Sequence, residues 1–192
     1  GPAEHLDPAL STEVSASQVG ESLYDGLTQV NYTDPENPEV QGQVAESWEG
    51  NDDATEWTFT IRDDLFFSDE TQVLPSSFER AWERASDPDF AGDYSYLFSF
   101  IEGGQEKLDG AAEEISGIEA DDDAMTLTVT MSAPYANFPA VAGFKLFAPM
   151  PEAVEELEDQ NEWENGLMVG NGPFMLDEPW NDQQVMLVPN QH

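Results

Sequence analysis

Glu56-Trp57-Thr58-Phe59-Thr60-Ile61-Arg62-Asp63 and, after a short interval, Pro75-Ser76-Ser77-Phe78-Glu79-Arg80-Ala81-Trp82-Glu83-Arg84-Ala85 decide the fold class. Trp57, Phe59 and Ile61 alternate with Thr58, Thr60 and Arg62, the period of two that a strand shows when one face is buried and the other wet. Phe78, Ala81, Trp82 and Ala85 recur at i, i+3, i+4 and i+7, one apolar stripe of a helix. Pro75 suits the first turn of that helix, where a missing N–H costs nothing. Leu74 precedes it and carries no hydrogen-bond acceptor, so the helix should lose about 1 kcal/mol of capping.

Outward from this pair the pattern repeats. Met125, Leu127, Val129 and Met131 alternate with Thr126, Thr128 and Thr130, a second strand. The tips Asn51-Asp52-Asp53 and Asp121-Asp122-Asp123 read as turns. Ala16, Val19, Leu23 and Leu27 place a helix over residues 15–27, with Gly26 as its left-handed cap. Leu6-Asp7-Pro8 is extended, and residues 31–43, with Pro35 and Pro38, read as a loop. Ala133 to Phe138 opens another helix, and Pro151 to Asp159 forms a third, acidic on its outer face. Val169 to Phe174 leads into an apolar strand at Val185-Met186-Leu187-Val188. Interspersed strands and helices make the class mixed α/β, or α+β.

Composition narrows the function. The 192 residues suffice for one large or two small domains, and 39% hydrophobic with 11% aromatic residues argues against wholesale disorder. No apolar run approaches the roughly 18–20 residues of a membrane span. Cysteine is absent, which removes disulfides, thiolate metal sites and Cys nucleophiles. Forty-one acids against five basic residues give a net charge of −36. Nucleic acid is therefore excluded as a partner, because that affinity rests on cations meeting phosphates. Self-repulsion on this scale is screened by salt, and the Debye length is about 3 Å at 1 M. A protein adapted to a salty exterior is expected; the alternative is an acidic compositional bias without adaptation.

Enzyme chemistry finds little support. His5 and His192, the two histidines, lie near the chain ends, so a Ser-His-Asp arrangement lacks a base. No zinc ligand set, P-loop or dinucleotide fingerprint occurs. Paired carboxylates could serve a glycoside hydrolase, but among 41 acids pairs arise by chance. Asp121 to Asp123 could suggest a calcium-dependent adhesion module, yet the EF-hand spacing fails for want of a glycine. Asn31-Tyr32-Thr33 matches a glycosylation pattern that is too common to weigh.

Several phrases, in register, resemble the solute-binding proteins of ABC importers, extracellular family 5, which bind oligopeptides, dipeptides or nickel. They are Leu6-Asp7-Pro8, Leu23-Tyr24-Asp25-Gly26-Leu27, Val44-Ala45-Glu46-Ser47-Trp48, Phe67-Ser68-Asp69, the helix at Phe78 to Ala85, Asp122 to Val129, and Val169-Gly170-Asn171-Gly172-Pro173-Phe174. Three departures stand out: Glu70 where a glycine usually closes the turn, Leu74 where a threonine usually caps the helix, and the near-complete loss of lysines.

The resemblance implies a periplasmic-binding-protein type II-like fold. Residues 3–25 would begin lobe I, residues 26–149 would form the family's inserted N-terminal subdomain, and residues 150–192 would return to lobe I. Relatives are longer, so an N-terminal fragment is expected, with the second lobe beyond His192. The implied protein is not an enzyme and uses no cofactor or metal. It would capture a peptide by hinge closure and deliver it to the membrane subunits of an ABC permease. It is expected to be a monomer outside the cytoplasm, lipid-anchored or periplasmic. A nickel complex or an oligosaccharide is the alternative ligand. By matching position, the ligand would pair with the backbone of Thr12, Glu13 and Val14, a form of strand addition, and Tyr94 would approach it. The competing reading of Tyr94, Tyr96 and Phe98 is packing within the subdomain. Asn171-Gly172-Pro173 is expected to shape the backbone.

Overall fold

The computed structural model describes residues 3–90, 92–166, 168–181 and 183–192. Helix α1 spans Val14–Leu23 and is followed by strands β1 (Thr28–Asn31), β2 (Glu39–Gly42), β3 (Ala45–Gly50) and β4 (Glu56–Ile61). Next come α2 (Pro75–Ala85), a 3-10 segment at Ser95–Phe100, α3 (Gly104–Leu108), β5 (Ile118–Asp121) and β6 (Thr126–Thr130). The short helix α4 (Phe138–Val141), three 3-10 turns and the hairpin of β7 (Phe174–Leu176) and β8 (Leu187–Pro189) complete the chain.

The two strands legible by alternation are the middle pair of a four-stranded antiparallel sheet ordered β3-β4-β6-β5. Their register sets Phe59 opposite Leu127 and Trp57 opposite Val129. On the buried side Phe59, Ile61, Leu127 and Val129 pack with Phe78 and Trp82 of α2 into one core. Phe98, Phe138 and Phe147 close that core around the Trp82 ring, with centroids 5.2–6.5 Å from it. Trp82 Nε1 donates to the Phe147 carbonyl at 3.0 Å, so the buried indole leaves no orphan donor.

Several expectations need correction. Residues 31–43 are not a plain loop: β1 and β2 form an antiparallel hairpin that pairs Thr28 with Gly42 and Val30 with Val40, while Pro35 and Pro38 lie between the strands. Backbone pairing, not side-chain pattern, makes that hairpin, because both strands are largely polar. Helix α1 stops at Leu23, where Tyr24 turns extended (φ −133°, ψ 137°). Gly26 is therefore not a left-handed cap. A Cβ there would come 3.2 Å from Gly143, so Gly26 permits close approach of two backbones. Met125 lies in the turn before β6 with φ of 55°. Residues 151–159 form only a 3-10 turn at Glu152–Val154, followed by another at Gln160–Asn165.

The two departures around the turn and helix have definite structural consequences. Ser77 Oγ accepts the Leu74 N–H at 3.1 Å, and Asp122 Oδ1, from the β5–β6 turn, accepts the Ser76 N–H at 2.8 Å. An acid from a distant tip thus replaces the local cap, with the sign that a helix N-terminus favours. Glu70 keeps the turn by adopting φ of 70°, a left-handed conformation that a Cβ opposes. Relief of about 1–2 kcal/mol of strain should outweigh about 0.5–1 kcal/mol of added chain entropy in Glu70→Gly. That substitution is expected to raise the urea midpoint; a lowered midpoint would refute the strain.

Candidate functional site

Three segments converge on one groove. Glu13 is extended (φ −79°, ψ 152°) just before α1, between exposed Thr12 and Val14, the latter 76% exposed. One helical turn further, Ser17 Oγ donates back to the Glu13 carbonyl at 3.0 Å. Glu13, Ser17 and Glu21 share a face because i and i+4 residues lie one above another. That face, the β1–β2 hairpin and the segment 140–148 enclose a groove of about 660 Å³. Its polar lining includes Ser17, Glu21, Gln29, Gln43 and Lys145, with Phe144 among its apolar walls. The volume lies within the roughly 300–1,000 Å³ typical of small-ligand sites.

Lys145 reaches α1 directly. Its Nζ donates to Ser17 Oγ at 2.8 Å, completing a chain from Lys145 through Ser17 to the Glu13 carbonyl. Burial presses the ammonium below the usual lysine range, while Glu13 and Glu21 act in the opposite direction.

Tyr94 comes to the same region by a different route. Gly92 abuts the Ala9 carbonyl so closely that no Cβ could fit, which lays its loop along the segment leading to Thr12. Two residues on, the half-buried Tyr94 ring meets Phe144 edge-on at 5.4 Å. Phe98 is fully buried in the core and Tyr96 is 58% exposed, so these two neighbours have separate surroundings.

None of Thr12, Glu13, Val14 and Tyr94 lines the groove itself; Glu13 touches it through Ser17 and Tyr94 through Phe144. The structure adds Ser17, Gln29, Gln43, Phe144 and Lys145, which sequence reasoning missed. One signal was available for Lys145: it is one of only five basic residues in the chain.

Behind the site the backbone is pinned. Asn171 accepts the Asp25 N–H at 3.1 Å and donates to the Asp25 carbonyl at 2.9 Å, while Gly172 N–H bonds Leu23 O at 2.9 Å. A Cβ on Gly172 would lie 2.5 Å from the Leu23 carbonyl carbon, so the glycine allows that contact. Asn171-Gly172-Pro173 therefore shapes backbone. Glu164 Oε2 accepts the N–H groups of Leu6 and Asp7, and its Oε1 bonds His5 at 2.7 Å, which raises the imidazole above its ordinary range.

Asp25 sits beside Gln43, whose Nε2 donates to its Oδ1 at 2.7 Å, and burial lifts its carboxyl to about 6. A folded pKa above the unfolded value means the folded state holds the proton more tightly. Asp25 should therefore favour folding increasingly as pH falls through about 6, with the gain complete below about 3.9. Asp25→Asn keeps an acceptor for Gln43 and removes the titration. Its unfolding free energy relative to the parent should be highest at pH 7 and decline toward pH 4; a constant difference would contradict the assignment.

The fold and groove define a mixed α/β binding module. The chain matches the family described as bacterial extracellular solute-binding proteins, family 5, over residues 39–192, and it belongs to that family. It is 31% identical over 191 residues to the periplasmic murein peptide-binding protein MppA of Escherichia coli, covering 97% of this chain and 34% of that protein. It is 34% identical over 187 residues to the periplasmic oligopeptide-binding protein OppA of the same organism, covering 96% and 33%. Among solved structures, unliganded open MppA superposes with a TM-score of 0.88 at 30% identity, over 100% of this chain and 36% of that one. Haemophilus influenzae OppA in complex with RPPGFSPFR gives 0.86 at 30% identity, over 100% and 37%. The chain spans about a third of the length of these relatives. The family is one of solute-binding proteins, not enzymes. No described helix is long and apolar enough to cross a membrane.

Proposed function

We propose that this chain forms one wall of a solute-binding cleft that captures peptides outside the cytoplasm for an ABC permease. The observation that carries the proposal is the stretch Thr12–Glu13, with Glu13 extended, which leads directly into the helix face that lines a polar groove. Among the described residues no acceptor pairs with the backbone N–H of Thr12 or Glu13, which leaves main-chain groups available to an extended ligand. Tyr94, packed edge-on against the groove residue Phe144, would add an aromatic surface. The relatives that share this fold carry about twice as much further chain, and that remainder would provide the facing lobe.

The hydrogen bonding supports a division into lobe and subdomain. Residues 3–25 are tied to residues 160–172 through Glu164, Asn171 and Gly172, in keeping with one lobe built from 3–25 and 150–192. Residues 26–149 carry the four-stranded sheet and would form the inserted subdomain. A lipid anchor and a monomeric state belong to the same reading.

The full-length protein, exposed to a mixture of short peptides and examined by native mass spectrometry, should retain peptides. Retention of only a nickel complex or an oligosaccharide would reject the peptide reading. The net charge of −36 supports adaptation to salt. The melting temperature should climb with NaCl into the molar range, as screening relieves self-repulsion; a flat or falling curve would leave compositional bias as the explanation.

A further inference from the structure

The strongest unused feature of the groove is its cation. Of the five basic residues, Arg80, Arg84 and Lys107 each hold a carboxylate, from Glu155, Asp7 and Glu83. Lys145 does not. Among the described residues no carboxylate oxygen lies within 4.0 Å of its Nζ, although the chain carries 41 acids. Its one hydrogen bond goes to Ser17 Oγ. An ammonium has three donors, so two protons remain for acceptors that the described residues do not provide. The side chain is half-buried in the groove wall, and Glu13 and Glu21 act on the ammonium only from beyond contact distance, so its desolvation is not offset by a direct ion pair. Glu21 lines the same groove without pairing with it, and the other polar lining groups named above are neutral.

Resting on the peptide-capture reading, we infer that Lys145 is the anion-binding point of this groove and takes a carboxylate of the ligand. The hydrogen-bond chain through Ser17 to the Glu13 carbonyl ties this point to the stretch that pairs with the ligand main chain. Two sources could supply the carboxylate: the ligand's C-terminus or an acidic side chain. The chain's net charge of −36 repels acidic ligands, and a single cation in contact offsets that locally. The site then selects where an acidic group sits on the ligand, not merely whether one is present.

Calorimetry on the full-length protein tests this with matched peptides: a free C-terminus against its amide, and an internal Glu against Gln. The parent should prefer one carboxylate form by roughly tenfold to a hundredfold, the range for hydrogen bonds to charged groups. The pair showing the preference identifies the source. Lys145→Gln should lose the preference, the carboxylate form binding no better than its neutral match; Lys145→Arg should keep most of it. Peptide binding with an unchanged preference in Lys145→Gln would overturn the inference while leaving peptide capture standing. So would a loss of melting temperature in Lys145→Gln with no change in preference, because Lys145 would then be pairing with another part of the protein. Failure of the parent to bind any peptide would overturn both readings.

Discussion

Arg84→Ala should destabilise the protein by about 3–5 kcal/mol, among the largest losses available to a single surface-to-core position. Arg84 is 7% exposed and Asp7 is completely buried. Their guanidinium and carboxylate meet in a two-pronged contact, Nη2 to Oδ2 at 2.5 Å and Nη1 to Oδ1 at 3.2 Å. The same Nη2 donates to the Gln160 carbonyl, and the guanidinium lies 3.9 Å from the centre of the Phe90 ring. Removing the arginine would strand a carboxylate in the interior and empty a stacked space. Asp7→Ala should cost a similar amount by stranding the cation. The double variant Asp7→Leu/Arg84→Met should lose much less than the sum, because the penalty lies in the leftover charge and not in the missing attraction. Urea titration of all three measures this; additive losses would show that the two groups act independently. The pair also has an architectural role. Arg84 stands on α2, while Asp7 and Gln160 belong to segments proposed to form the lobe, so one side chain fastens the subdomain to it. Arg80 repeats the arrangement toward Glu155 and the Met150 carbonyl. On the proposed division, the wall would present a fixed surface only if such fasteners hold.

The parts of this architecture that could be read in the sequence were those with a side-chain period. β4 and β6 alternate cleanly because one face meets the aromatic core, and α2 shows its stripe for the same reason. β1 and β2 show no period, since their residues are mostly partly or fully exposed and the hairpin rests on main-chain bonds. The expected helix over residues 151–159 failed because Glu152, Glu155, Glu156 and Glu158 suggest an outer face while only Val154 and Leu157 could define an inner one. Two inward residues cannot hold about two and a half helical turns against the cost of ordering them. Thr12, Glu13, Val14 and Tyr94 follow from the resemblance alone. Ser17, Gln43 and Lys145 come from segments some 26 and 102 residues apart, and no local pattern announces that a hairpin, a helix and a loop will share a groove.

The second large effect concerns the centre of the aromatic core. Trp82→Ala is expected to cost about 3–5 kcal/mol, the usual range for truncating a buried aromatic. Trp82 has no exposed surface and stands edge-on to Phe78, Phe138 and Phe147. Its truncation opens a cavity that four phenylalanines cannot fill without leaving their own contacts, and it strips the Phe147 carbonyl of its indole donor. Trp82→Phe should restore most of the volume and cost less, about 1–3 kcal/mol, since the orphaned carbonyl remains. Tyr96→Ala, on an exposed ring, should stay within about 0.5 kcal/mol. A Trp82→Ala loss no greater than that of Tyr96→Ala would mean the core is not organised around this indole. The consequence reaches the groove, because Phe144 and Lys145 lie on the segment that Phe138 and Phe147 anchor against Trp82. A chain that loosens there should lose the carboxylate preference assigned to Lys145 before it unfolds, so ligand discrimination in Trp82→Phe is expected to fade at lower urea than secondary structure does. Coincident loss of the two would instead make the groove part of the same cooperative unit as the sheet.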